Sequence, residues 1–301
     1  MTWHLPPDLV VGPSFGTLSL APTNWGMAAT HIDRLRVRNG EGEVIAILDT
    51  GLDPDHPELS GGVKANVSFV PGESAYDGNG HGTHCAGTAA GSSPSVGVAG
   101  KAKILGGKCL SNAGNGGTDG IRNAMKWAIA NGATVISMSI GGQGFMEGVE
   151  DLVRLADEAG IVTCLAAGNE RGEGGMVRFP SSAIVVAAVD SNGRYASFSN
   201  PASTNAILSC AAPGVGITSA KPGGGYQMMS GTSMATPFVA GVVAALQSER
   251  VARGLARLKN ADIKRLFGSR NVDTGKPGAD VDTGPGLLDG EMLKLSLIPT
   301  P

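Results

Sequence analysis

Apolar positions along this chain change their spacing several times. Val44-Ile-Ala-Ile-Leu48 is apolar without alternation, the pattern of a strand covered on both faces. Thr134–Met138, Ile161–Leu165 and Ile184–Val189 repeat it, and Ala102–Leu105 is a weaker version. Between these runs the period becomes helical. Ile121, Ala124, Met125 and Ala128 share one face of a helix that should stop at Asn131-Gly132. Val149, Leu152, Val153 and Ala156 form a second, ending at Gly160, and Phe238–Leu246 predicts a helix buried all round. Strand–helix alternation of this kind predicts the α/β class: a three-layer, doubly wound parallel sheet with helices on both faces. Residues 1–24, rich in Pro and Gly, predict an arm, with 1–19 outside a single domain over 20–301. Residues 250–301 carry a helical pattern, a Gly/Asp/Pro-rich loop from Asp273 to Gly286 and a short ending.

Ligands of open α/β sheets bind beyond the carboxyl ends of the strands. Asp49-Thr-Gly51 follows the first run, Ser139-Ile140-Gly141-Gly142 the 134–138 run, and Ala166-Ala167-Gly168-Asn169 the 161–165 run. An acid, a bare backbone edge and an amide are thereby gathered along one edge. Two further segments carry chemistry: Asp77-Gly-Asn-Gly-His81-Gly-Thr-His84-Cys85 and Met229-Ser-Gly-Thr-Ser233-Met-Ala-Thr-Pro237. Ser233 follows a glycine turn and opens an apolar helix, so its N–H is free to serve an oxyanion, helped by the helix dipole. A serine nucleophile needs a base, for which His81 between glycines is the candidate, and the base needs an acid, which Asp49 can supply.

Each residue also has a plainer reading. Asp49 could cap a turn, Ser233 could be an N-cap and Asn169 a turn residue; His84 could be a core histidine. His81, His84 and Cys85 could be zinc ligands, although no fourth ligand cluster accompanies them. Other enzyme classes fail on single positions. Residue 235 is Ala where a Gly-x-Ser-x-Gly elbow needs Gly, and Gly114-Asn-Gly116-Gly-Thr-Asp119 ends on Asp where a dinucleotide fingerprint needs Gly or Ala.

Composition narrows the field further. With 23 Lys and Arg against 26 Asp and Glu among 301 residues, the net charge is −3, which argues against sequence-independent nucleic-acid binding. No apolar run approaches the roughly 18–20 residues of a membrane span. The opening Met-Thr-Trp-His-Leu-Pro-Pro lacks the basic and apolar regions of a secretory signal, so a cytoplasmic location is expected. Forty-seven glycines imply tight turns and close backbone approaches. The four cysteines, at 85, 109, 164 and 210, are expected to be buried free thiols in a reducing compartment, with a single disulfide as the alternative.

Asp-Thr-Gly, Gly-His-Gly-Thr-His and Gly-Thr-Ser-Met-Ala-Thr-Pro, in the order Asp, His, Ser, resemble the three signatures of the subtilisin-like serine proteases. The resemblance covers about residues 20–292, and His-Gly-Thr-His-Cys85 is similar to the proteinase K branch. It implies a serine endopeptidase with Asp49, His81 and Ser233 as triad and Asn169 as oxyanion-hole amide. It further implies that a polypeptide substrate lies as an extended strand between Gly116-Gly117-Thr118 and Ser139-Ile140-Gly141. Ala166, Ala167 and Gly168 would line one wall of the main specificity pocket, and Arg178 would stand at its floor, where relatives often have glycine. A peptide ligase and a proteolytically dead peptide-binding module are the alternatives. No cofactor or metal is implied for catalysis. Calcium stabilises many relatives, but Pro94, Ala21, Glu58 and Ser209 stand where their ligands are usually Asn, Gln, Asp and Asp. The long prodomain of secreted relatives has no counterpart in residues 1–19, a point of resemblance to intracellular members.

Overall fold

The computed structural model describes residues 2–5, 9–15, 23–142, 148–171, 179–203, 207–274 and 276–297. In chain order the principal elements are β1 (Thr2–His4), β2 (Val10–Phe15), α1 (Gly26–Ala29), β3 (Val44–Asp49), β4 (Val63–Ser68), α2 (His81–Ala90), β5 (Lys103–Lys108), β6 (Asn115–Gly117) and α3 (Thr118–Ala130). There follow β7 (Val135–Met138), β8 (Gly141–Gly142), α4 (Glu150–Glu158), β9 (Val162–Ala166), β10 (Ile184–Val189), β11 (Cys210–Pro213), β12 (Ile217–Ala220) and β13 (Tyr226–Ser230). The helices α5 (Thr232–Ala252), α6 (Asn260–Arg270) and α7 (Gly290–Lys294) complete the chain.

Seven strands form one sheet in the order β11-β10-β9-β7-β3-β5-β4, every neighbouring pair parallel. Strand β3 shows why the apolar runs do not alternate. Its Ile45 and Ile47 join the core under α2 and α5, while Ala46 and Leu48 join the core under α3 and α4. Both faces are covered, so both must be apolar. The predicted faces of α3 and α4 are the buried ones: Ile121, Ala124, Met125 and Ala128 in the first, Leu152, Val153 and Ala156 in the second. Left-handed Gly132 and Gly160 follow their ends.

Three regions differ from expectation. The weak 102–105 run belongs to a six-residue strand continued by Gly106-Gly107-Lys108. A Cβ on Gly106 would lie 2.5 Å from Leu52 and one on Gly107 2.7 Å from Leu48, so packing excludes the side chains that would have marked a strand. Helix α5 runs over 21 residues and is buried from Thr232 to Glu249, well beyond the expected 238–246. The arm contains two strands. β1 lies between β6 and β8 in one small sheet, and β2 pairs with β13 in another.

Strand order reverses between β3 and β7, because β5 and β4 lie to one side of β3 and β7, β9, β10 and β11 to the other. Loops leaving the carboxyl ends of β3 and β7 diverge there and open a crevice.

Candidate active site

Strand β3 delivers Asp49 to that crevice, 1% exposed. Its Oδ1 accepts the Thr50 N–H at 2.7 Å and stands 2.7 Å from His81 Nδ1. With Nδ1 donating to a carboxylate, the neutral ring keeps its lone pair on Nε2. His81 is the first residue of α2, after left-handed Gly80. The helix start abuts the Asp-Thr-Gly turn so tightly that a Cβ on Gly82 would lie 2.2 Å from the Gly51 carbonyl. Burial alone would lower the His81 pKa; the Asp49 carboxylate opposes this and prevails, holding it well above the ordinary value.

A second buried acid, Asp77, supports both loops. Its Oδ1 accepts from Thr50 Oγ1 (2.8 Å), Asn79 N (3.1 Å) and Gly80 N (2.8 Å). Its Oδ2 accepts from Thr83 N (2.8 Å) and Thr83 Oγ1 (2.7 Å).

Ser233 is the second residue of α5; the N-cap is Gly231, which makes no side-chain cap bond, so the N-cap reading of Ser233 does not hold. Pro237, four residues on, lacks the N–H that would bond the Ser233 carbonyl. That carbonyl accepts instead from Ser139 Oγ at 2.8 Å, with Cys85 Sγ at 3.4 Å. Ser139 therefore braces the backbone of Ser233, a role that sequence reasoning missed and that a proline at i+4 could have signalled. Asn169 Oδ1 accepts from Thr232 N (3.0 Å) and Thr232 Oγ1 (2.9 Å), which aims Nδ2 away from the helix. A Cβ on Gly231 would meet Asn169 Nδ2 at 3.2 Å and Ser233 N at 3.6 Å, so both donors border one small space that glycine leaves open. Asp49 Oδ2, His81 Nε2, Ser233 Oγ and Asn169 Nδ2 are all buried without a hydrogen-bond partner.

His84 is a core residue. Its Nε2 lies 3.0 Å from Ile217 O and 3.1 Å from Gln227 O, and burial pushes its pKa down to about 3. Asp49, His81 and Cys85 bring their donor atoms within 4.8 Å of one another. The zinc reading loses His84 to those carbonyls and His81 Nδ1 to Asp49, and burial holds the Cys85 proton by raising its pKa.

The predicted substrate edges border one groove, and β1 lies in it. Trp3 is opposite Gly116 on one side and Gly142 on the other, His4 opposite Asn115 and Gly141, and both pairings are antiparallel. Trp3 is 3% exposed and its Nε1 donates to Thr118 Oγ1 at 3.0 Å. Ile140 packs in the same apolar cluster as Trp3. Further on, Leu9 approaches Gly231, and Val10 pairs with Ser230, so the arm also meets the segment that leads into Ser233. Ala166 ends β9; Ala167 and Gly168 continue it as buried chain, with Gly168 N donating to Thr232 Oγ1 at 3.1 Å. Arg178 and Ala21 lie outside the described residues.

A family model, the subtilase family (peptidase S8), matches residues 40–286. The chain belongs to the subtilase family. It is 42% identical to subtilisin E of Bacillus subtilis over 220 residues, 70% of this chain and 56% of that protein. Thermitase of Thermoactinomyces vulgaris is 41% identical over 235 residues, 76% of this chain and 80% of the relative. Alkaline elastase YaB of a Bacillus species is 37% identical over 251 residues. The chain thus spans little more than half the length of several curated relatives it matches. Subtilases typically bind calcium, yet the loop at 92–98 is held by protein atoms in this one. Glu58 Oε2 accepts from Ser93 N (2.7 Å) and stands 3.3 Å from Ser92 Oγ; its Oε1 accepts from Tyr226 Oη (2.8 Å). Both carboxylate oxygens are engaged by donors, and Pro94 offers no side-chain oxygen, so this donor set does not fit a calcium cradle.

Proposed function

We propose that this subtilase is a serine endopeptidase working through Asp49, His81 and Ser233. Ser233 Oγ attacks the scissile carbonyl as His81 Nε2 takes its proton; Asp49 holds the ring and offsets the charge of the imidazolium. Asn169 Nδ2 and the Ser233 N–H receive the oxyanion, aided by the positive end of α5. His81 then gives its proton to the leaving amine, and water, activated by the same ring, hydrolyses the acyl-enzyme.

One observation carries the reading. Asp49 holds His81 by Nδ1, and His81 Nε2, Ser233 Oγ and Asn169 Nδ2, the three atoms the reaction would use, are buried and not committed to any other group. A dead binding module would gain nothing from this arrangement. The substrate is a polypeptide laid between β6 and β8 as β1 is laid there. The arm therefore has to leave the groove before a peptide enters, and the intact chain is a latent form. All four cysteines are free and buried, in keeping with a reducing compartment.

A fluorophosphonate probe tests the assignment. Once the arm is displaced or trimmed, Ser233 should be labelled one to one and Ser233→Ala not at all; equal labelling of the two proteins would remove Ser233 from the mechanism.

A further inference from the structure

Among the described residues, Lys108 is the one lysine or arginine whose side chain is fully buried. An ammonium taken out of water is costly unless every N–H finds an acceptor and a counter-charge stands close. Lys108 has three partners for three N–H groups: the Thr50 carbonyl at 2.5 Å, Asn112 Oδ1 at 2.9 Å and Glu73 Oε2 at 3.1 Å.

These partners come from different loops. Thr50 follows Asp49 at the end of β3. Glu73 lies beyond β4, and its Oε2 also accepts the Asn112 N–H at 2.8 Å. Asn112 belongs to the loop entering β6, the groove edge. It further accepts from Gly78 N at 3.1 Å through Oδ1, and from Asn79 Nδ2 at 3.0 Å through its carbonyl, so it holds the turn ahead of His81. The backbone repeats the link: Asp49 and Lys108 are register partners, and the Asp49 carbonyl accepts from Cys109 N and Leu110 N at 2.9 and 3.1 Å.

We infer that Lys108 is a positioning residue, which fixes the Asp49 carboxylate against His81 by clamping the Thr50 carbonyl. The inference rests on the triad reading above. Thr50 transmits the constraint with its other polar groups. Its N–H donates to Asp49 Oδ1, its Oγ1 donates to Asp77, and the same Oγ1 accepts the Gly82 N–H at 2.9 Å at the start of α2. Orienting Thr50 thus orients the acid and the helix carrying the base. A neutral hydrophobe in place of Lys108 would fill the volume but release the carbonyl, and triad geometry tolerates little drift: a misplacement of about 1 Å can cost on the order of a hundredfold in rate.

Lys108→Met tests this, because it keeps the unbranched stem and removes the charge and the donors. Ser233 occupancy by a fluorophosphonate after prolonged exposure, read by mass spectrometry, counts competent sites, and kcat and KM on a peptide substrate are normalised to it. The expected result is full labelling, KM within about twofold and kcat lower by about tenfold or more. A kcat within about twofold of wild type in folded Lys108→Met overturns the inference, and so does a fall in rate that merely tracks a fall in labelled fraction. If Lys108→Met does not fold, Glu73→Gln carries the test, since Glu73 is partly exposed and its loss leaves the stem in place. A kcat lower by about threefold or more at unchanged KM supports the clamp, and an unchanged kcat overturns it. Failure of the triad reading would look different: wild type, with its arm displaced, would be neither labelled at Ser233 nor active.

Discussion

The crevice and the shell beneath it treat their polar groups in opposite ways. In the shell, Asp77 accepts five hydrogen bonds, Lys108 has three partners and Glu58 three. In the crevice, four buried polar atoms on Asp49, His81, Ser233 and Asn169 have none. Saturated buried networks rigidify, whereas an orphaned buried group costs about 1–3 kcal/mol. The shell supplies the stability and rigidity with which the crevice can keep its unmet bonds in fixed directions. Changes in the crevice should therefore act on rate, and changes in the shell should act first on stability or geometry.

The largest effect that would break this contrast concerns Asn169. Asn169→Ala removes the unpartnered Nδ2 and also frees Thr232 N–H and Oγ1. It should lower kcat by about 10²–10³ with little change in KM, a scale taken from subtilisin itself. Steady-state kinetics on one peptide substrate checks it; a large rise in KM would mean that Asn169 serves ground-state binding. The pH profile sharpens the same point. His81 must be neutral at Nε2 to act as base, and its pKa is raised by Asp49. Activity should therefore rise with pH along a limb centred above the ordinary histidine value of about 6.5, and Asp49→Asn should move that limb down.

Much of the crevice was legible in the sequence because each candidate residue sits at or just past an element end with a glycine within two positions, where loop chemistry is local. Asp49, His81, Asn169 and Ser233 are of this kind. The supporting shell was not legible. Lys108 stands in a strand whose glycines hide its pattern, and its partners at 50, 73 and 112 meet only through the fold. Ser139 was expected as a groove edge, but its bond to the Ser233 carbonyl needs the three-dimensional consequence of Pro237. The arm looked irregular because β1 and β2 belong to small three-stranded sheets, β1 between β6 and β8 and β2 at an edge beside β13, outside the doubly covered sheet that produces a continuous apolar run.

A smaller effect concerns the arm. Trp3 is nearly fully buried and its indole N–H is satisfied, so it contributes most of what β1 can gain by staying in the groove. Trp3→Ala should weaken that hold by about 2 kcal/mol or more and raise kcat/KM on a short peptide by about tenfold or more. Initial rates of the two intact chains measure it. An unchanged rate would mean that the arm does not compete with substrate.

The smallest effect expected is that of a chelator, and it separates two ways of holding one loop. A cation that binds only the folded state stabilises by RT ln(1 + [L]/Kd), so a tightly held ion reveals itself when removed. Here Glu58 itself ties the loop, with one oxygen bonded to Ser93 N and near Ser92 Oγ and the other bonded to the Tyr226 hydroxyl. Glu58 is 4% exposed, so its bonds are sheltered from water. Chelation should shift the melting temperature by less than about 1 °C. Glu58→Gln keeps the shape but gives up the charge-assisted bond to Ser93 and should lower it by about 3–6 °C. Differential scanning calorimetry with and without chelator, on both proteins, resolves the two effects. A chelator shift of several degrees in wild type would mean that a cation holds the fold at some other set of oxygens, and a Glu58→Gln protein melting with wild type would mean that the loop is held without the carboxylate.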